Sequence, residues 1–423
     1  MLILFGVFFI LLILGVPVGF SLFGSSVLYM VVNDIPLEMA AQRLAAGPDS
    51  FPLLAIAFFV LAGSIMNSGG ITRKIFDFAD HIVGHFTGGL GHANILASII
   101  FSGMSGSAVA DTGGLGAIEL QAMKEAGYDE DFSLAVTGAS AIIGPIIPPS
   151  IPAVIFGVTS GVSIGRLFAG GVIPGLLMGG AMSAMVYFIS KKKKYPKRKR
   201  ASFKEIFHAL KSAFLPLLAP VIIIGGIIGG VFTPTEAAIA AVFYALLLSF
   251  IYKEIRITQL PGFLRETLNT TIGILFIISS ANLFGWIMTT SQVPQKLAVA
   301  FLSVIADKYL ALLVLNVFLL LVGCFLETSA AQIILVPILV PMVMKMGVDP
   351  VHFGIIMILN LMIGLMTPPI GLVLYVLSSI SKVPFEKISK AILPYVLVLG
   401  VVLLVITYVP ILVTFLPDLL FGN

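Results

Sequence analysis

Charge is scarce in this chain of 423 residues, where Asp, Glu, Lys and Arg together make up 10% against about 25% in a soluble domain. A water-soluble globule is excluded, because too few polar side chains remain to clothe the 59% of residues that are apolar. Cysteine is nearly absent. The single Cys324 forms no intramolecular disulfide and lies in an apolar run away from other soft ligands, so neither a disulfide scaffold nor a thiolate metal site is available. There is no GxxxxGK[ST] loop and no polar segment long enough for a nucleotide-binding domain, so ATP does not drive this chain directly. A GxSxG elbow and an HExxH helix are missing too, and an enzyme is not expected.

What is present is a series of uncharged runs. The first extends from Met1 to Asn33, longer than the roughly 20 residues that span a bilayer. With no basic n-region and no small-residue cleavage pattern before it, it reads as one retained helix. Further runs at 51–67, 93–110, 132–161, 168–190, 214–232, 235–251, 268–290, 309–326, 328–346, 352–381 and 391–419 predict about ten membrane segments and an all-α polytopic membrane protein. Eight of the 24 basic residues fall in Lys191–Arg200, KKKKYPKRKR. Between two hydrophobic halves such a run marks a cytoplasmic loop rather than a nucleic-acid site. It divides the chain into a first half, 1–190, a basic loop, 191–204, and a second half, 205–423.

The halves are related. An ungapped shift of 220 residues superposes Gly103 on Gly323, Ala110 on Ala330, Gly127 on Gly347, Asp129 on Asp349, Gly144 on Gly364, Pro148-Pro149 on Pro368-Pro369 and Pro174 on Pro394. Glycine and proline set backbone breaks, so their coincidence points to an internal repeat. Paired Gly/Pro interruptions in two halves mark discontinuous helices around a midplane site in transporters. One pair, 102–108 and 323–329, reads as the tips of two re-entrant hairpins; the other, 144–150 and 364–370, as breaks within two longer helices. If the repeats are inverted, the tips meet from opposite faces; sequence similarity alone leaves that open.

Freed carbonyls with Ser and Thr hydroxyls form a hard oxygen cage suited to sodium. One cage combines Ser102, Gly103 and Ser105 with Gly144 and Ile147, and its mate combines Gly323 and Phe325 with Gly364 and Thr367. Half-helices beginning after each break turn their positive ends inward, with Ser107 and Ser150 at two of these starts, which favours a carboxylate ligand. These serines alternatively only cap their helices. Glu327 replaces Ser107 in the second tip, where it faces polar groups of a substrate, relays a proton, or caps the arm; Asp111 is open to the same readings. Thr233-Pro234-Thr235-Glu236 is a capping box, which makes Glu236 a cap rather than a catalyst. Asp77, His81 and His85 share a helical face, but an amphipathic helix in the headgroup region accounts for 71–86 better than a metal site does. Trp286 is the single tryptophan, with an interfacial or packing role.

The segments SGMSGSAVAD at 102–111, GPIIPPSIP at 144–152, FTPTEAA at 232–238, GCFLET at 323–328 and GLMTPPIG at 364–371 resemble, in order and spacing, the large membrane subunit of tripartite ATP-independent periplasmic transporters of the dicarboxylate/sialate type. The resemblance implies an inverted-repeat elevator transporter with two re-entrant hairpins and two discontinuous helices, resident as a multi-pass protein in the bacterial inner membrane. It implies two or more sodium ions and no organic cofactor, with Pro148 joining the first cage. Ser107 and Ser150 would meet the substrate carboxylate and Glu327 its other polar groups. The expected partners are a separate small four-helix membrane subunit, a periplasmic substrate-binding protein, an organic acid and the lipid bilayer. Glu327 stands where sialate-type members often carry aspartate, which keeps both substrate classes open. The competing reading from the residues is a sodium/proton exchanger or ion channel using Glu327 and Asp111.

Overall fold

Inside a bilayer no water is available to backbone N–H and C=O groups, so each spanning segment must pair its own. The computed structural model, which describes residues 1–67, 70–305 and 307–422, meets this requirement with helices alone among the described residues. Seven of them are long and apolar enough to cross a membrane, and further apolar helices of 10–17 residues accompany them. The opening run differs from expectation. It is two helices, Leu2–Ile13 and Val18–Val32, because Gly15 turns the chain at φ +82° and Pro17, with no N–H to donate, starts the second. The two pack on each other as a hairpin rather than forming one span.

Helices of the two halves match at the 220-residue offset. Gly89–Ser105 corresponds to Lys308–Phe325, Glu130–Ala141 to Pro350–Leu365, Ile151–Ser160 to Leu372–Ser381, and Ile164–Lys193 to Phe385–Tyr408. Thr328–Lys345 corresponds to Ala108–Gly113 followed by Leu115–Glu125, interrupted at Gly114. Cis peptide bonds occur at Pro148–Pro149 and Pro368–Pro369.

The capping box at 233–236 forms as its sequence requires: Thr233 N–H donates to Glu236 Oε2 at 2.8 Å, and Glu236 N–H to Thr233 Oγ1 at 3.3 Å. Gly70–Val83 is amphipathic, with Ile71, Ile75, Phe76 and Ala79 inward. The basic run is partly helical, since Ile164–Lys193 extends into it. It is anchored by Arg198 to Asp80 at 2.5 Å and by Lys193 to Asp129, whose ammonium hydrogen bond holds the Asp129 carboxyl below the usual range. Arg43 lies over Trp286, 5.3 Å from the ring centroid. Along Phe203–Ile228 an exposed stripe of Phe203, Phe207, Phe214 and Val221 runs from the basic end into the apolar length, as a lipid-facing surface does.

Main chain meets main chain between the second tip and the second break at Gly323 and Gly364. A Cβ on Gly323 would lie 3.0 Å from Leu361 Cα and 3.1 Å from Gly364 Cα, and one on Gly364 would run into the Gly323 main chain. Backbone cannot rotate away as a side chain does, so Gly364→Ala should cost at least the roughly 1–3 kcal/mol of overpacking. Gly180→Ala, where nothing lies within 4 Å, should leave stability unchanged or slightly raised. Thermal unfolding in detergent reads both; equal midpoints for the two variants contradict the account of this contact.

Candidate functional site

Each tip is built by ending one helix and capping the next. Gly89–Ser105 stops because Gly106 adopts φ +63°, and a Cβ there would meet the Pro149 carbonyl oxygen at 2.6 Å. Only glycine permits both the left-handed turn and that approach. Ser107 then caps Ala108–Gly113, its Oγ accepting from Ala110 N–H at 3.4 Å. In the second half Glu327 caps Thr328–Lys345. Its carboxylate accepts from Ser329 N–H at 2.9 Å, Ala330 N–H at 3.2 Å and the Ser329 hydroxyl at 2.9 Å. Ser150 caps Ile151–Ser160, accepting from Ala153 N–H at 3.1 Å and donating to the Pro145 carbonyl at 2.5 Å.

A cavity of about 700 Å³ opens between the halves, with Ser105 and Ser107 on its wall from the first tip and Glu327, Thr328 and Ser329 from the second. Ser150 is not on the wall. It is buried behind Pro145, Ile151 and Pro152, which are, and its hydroxyl is committed on both sides.

Two further helices, predicted as membrane runs, line the cavity with polar side chains that the sequence did not single out. Glu266, on Leu260–Thr290, accepts a hydrogen bond from the Ser64 hydroxyl at 2.7 Å, and both line the cavity. Asn67, at the end of Leu54–Asn67, donates to the Ala110 carbonyl at 3.2 Å and turns a buried Oδ1, without a partner among the described residues, toward the same region. Glu266 gave no signal because it follows Arg265 at the polar end of an apolar run, where a solvated helix end is the ordinary expectation.

The sodium candidates divide into those the fold gathers and those it separates. Gly323 and Gly364 touch, which brings the second tip onto the second break, and the Thr367 hydroxyl there donates to Ile363 O at 2.7 Å. Phe325 turns outward and is 58% exposed. In the first half the tip meets the break through Gly106 and Pro149. The Ser102 hydroxyl donates to Ile99 O at 2.5 Å, Gly103 packs on Pro220, the Ile147 side chain fills the space over Gly175, and Pro148 borders a small apolar cleft with Phe168.

Gly144 lies against the Asp111 carboxylate. That carboxylate is buried and faces Ser105 without a hydrogen bond of normal geometry among the described residues. Glu119 is buried nearby, with Oε1 also unpartnered. An ionised carboxylate in such a place costs roughly 2.5–3.5 kcal/mol on insertion scales. Asp111 therefore requires a proton or a cation beside it.

The chain matches the family model described as "Tripartite ATP-independent periplasmic transporter, DctM component" over residues 5–412. It is 48% identical over 414 residues, 97% of each chain, to the sialic acid TRAP transporter large permease protein SiaM of Vibrio cholerae. It is 40% identical over 379 residues, 89% of each chain, to the C4-dicarboxylate TRAP transporter large permease protein DctM of Pseudomonas aeruginosa. Among solved structures the YdaH transporter of Alcanivorax borkumensis shares the fold, with a TM-score of 0.67 at 16% identity over 89% of this chain and 88% of that one.

The different settings of the two serine caps separate their contributions. Ser150→Ala leaves a buried carbonyl and an N–H without their side-chain partner and should cost about 1–3 kcal/mol. Ser107→Ala removes one long bond beside an open cavity and should cost under about 1 kcal/mol. Thermal unfolding midpoints measured side by side check the order; a larger loss at Ser107 contradicts it.

Proposed function

The chain belongs to the DctM component family of tripartite ATP-independent periplasmic transporters, as a large multi-pass permease, and from that premise we propose that it imports an organic acid carboxylate by sodium coupling. The observation that carries the proposal is the cavity of about 700 Å³ into which both tips open, with the Ser105 and Ser107 hydroxyls on the first tip and the Glu327 and Glu266 carboxylates elsewhere on its wall. The substrate carboxylate sits against Ser105 and Ser107, where short half-helix starts and hydroxyls offer donors. Glu327 and Glu266 repel that group and orient the molecule so that its hydroxyl, amide or amine donors face them. Glu327 accepts three hydrogen bonds at home, and an ionised carboxylate has about four acceptor positions, so one is left for a substrate. Ser150 acts behind the wall, by holding the break that supports it.

Sodium ions occupy the tip–break contacts. In the second half the carbonyls around Gly323, Phe325, Gly364 and Thr367 supply one cage. In the first, Ser102, Gly103, Ser105, Gly144, Ile147 and Pro148 supply another, with the neighbouring Asp111 carboxylate adding charge. The two tip–break units move as re-entrant hairpins of inverted repeats past the helices that carry Ser64 and Glu266, in an elevator motion. A small four-helix membrane subunit and a periplasmic binding protein complete the assembly in the bacterial inner membrane, and the binding protein imposes much of the substrate choice. The cavity volume lies within the roughly 300–1,000 Å³ range of small-molecule sites. Its size accommodates both a C4-dicarboxylate and a sialic acid. Of the two, the sialic acid brings the hydroxyl and amide donors that Glu327 and Glu266 would face, whereas succinate would turn a second carboxylate toward them.

Asp111 favours one second reading, a sodium/proton exchanger, because a buried unpartnered carboxylate is also what a proton carrier needs. Uptake of labelled succinate and of labelled sialic acid into proteoliposomes, with partner subunit, binding protein and an inward sodium gradient each present or withheld, separates the two. Transport requiring every component is expected for one acid. Ser107→Ala and Glu327→Gln should each reduce it at least tenfold at unchanged membrane abundance. That corresponds to about 1.4 kcal/mol or more. Sodium or proton flux with no acid moved overturns the proposal in favour of the exchanger.

A further inference from the structure

A second cleft, of about 600 Å³, lies at the basic end of the molecule between Gly70–Val83 and Phe203–Ile228. Lys204, His208, Lys211 and Ser212 recur at i, i+4, i+7 and i+8 on the second of these helices and all line it, while Lys74 and His81 face it from the first. Two acidic side chains share its rim. Glu205 is held by Ser202 in a capping box, its carboxylate accepting from the Ser202 N–H at 2.7 Å and hydroxyl at 2.9 Å. Asp77 stands between the charges of Arg73 and His81.

The cations are unequally committed. Lys74 is paired with Glu254 at 3.1 Å and lies 3.4 Å above the Tyr252 ring, and Arg198, beside His81, is paired with Asp80. Lys204 and Lys211 have no ion-pair partner among the described residues, so both ammonium groups are free to meet an anion. Its apolar border is Phe207, 61% exposed, from which the outward stripe continues through Phe214 and Val221 toward the other end of the helix. Cationic side chains at the level of the basic run, directly above an apolar lipid-facing strip, match a molecule that is anionic at one end and hydrocarbon at the other. Basic groups come from two separate helices across a space larger than a single phosphate requires.

We propose that this cleft binds the headgroup of an anionic phospholipid with two phosphates, cardiolipin, from the cytoplasmic leaflet. One phosphate lies between Lys204 and Lys211, the other toward Lys74 and His81, and the acyl chains descend along Phe207, Phe214 and Val221. Such a lipid ties Gly70–Val83, the helix leading into the first tip, to Phe203–Ile228, on which Gly103 of that tip packs. The site therefore touches the moving part proposed above at its edge, yet its lipid occupancy is measured independently of transport.

Native mass spectrometry of the full chain, with any co-purifying membrane partner retained, is titrated with cardiolipin, phosphatidylglycerol and phosphatidylethanolamine, with and without millimolar inorganic phosphate. Cardiolipin is expected to bind more tightly than either other lipid and to resist displacement by phosphate. Each lysine near an anionic lipid surface contributes about fivefold, so Lys204→Gln with Lys211→Gln should weaken cardiolipin binding about thirtyfold. Lys194→Gln with Lys199→Gln, in the basic run outside the cleft, should change it less than about twofold, and Lys204→Arg with Lys211→Arg should restore it. Unchanged binding in the glutamine pair, equal loss in the outside pair, or full displacement of the lipid by free phosphate overturns the proposal. The arginine pair also guards against a folding defect, since it keeps the charge whatever the glutamine pair does to stability.

Discussion

The rest of the structure depends on one constraint: a helix that begins within an apolar surround must find partners for its first N–H groups. Four helices here begin after interior breaks, and three of them carry their own cap, Ser107, Ser150 or Glu327. The fourth, Leu372–Ser381, begins at Gly371 in a left-handed conformation with no side-chain cap. Capping and ligand binding use the same groups. A hydroxyl or carboxylate that satisfies a helix start also stands at its positive end, and where that end opens into a cavity the cap becomes a contact for whatever enters.

The repeats keep their backbone alike and let their chemistry diverge. Glycines and prolines recur at the offset of 220 residues, and so do the helix boundaries. The side chains do not: Ser107 corresponds to Glu327, Asp111 to Ala331 and Ser150 to Ile370. Duplication supplies two tip–break units of one shape, and substitution gives one an uncompensated buried carboxylate and the other a carboxylate at the cavity wall. The cavity wall that both units share is therefore chemically unlike on its two tips.

The helix interruptions near 106, 142–150, 326 and 366–371 and the capping box were legible because each is local: a glycine that must turn, a proline that cannot donate, a Thr-x-x-Glu that closes on itself. The division of the first run at Gly15–Pro17 was equally local but was masked by the continuity of apolar residues on both sides. What sequence could not supply was partnership over distance. Nothing in the 144–152 segment says that the Pro145 carbonyl takes the Ser150 proton and draws that serine behind the wall. Nothing near Glu266 says that Ser64, 202 residues away, orients it into the cavity. The contact of Gly144 with Asp111 likewise exists only once two helices have packed.

The central claim is that the two tips serve one cavity and one ligand. The single native cysteine makes it directly measurable: in a Cys324→Ser background, Ser107→Cys and Glu327→Cys, whose positions are open to the cavity, are treated in turn with a small water-soluble thiol reagent, with Ser102→Cys as the buried reference. The account predicts that the first two react and the third does not, and that sodium together with the transported acid slows both reactions in parallel. Protection of one tip without the other, or reaction at Ser102→Cys as fast as at Ser107→Cys, contradicts it.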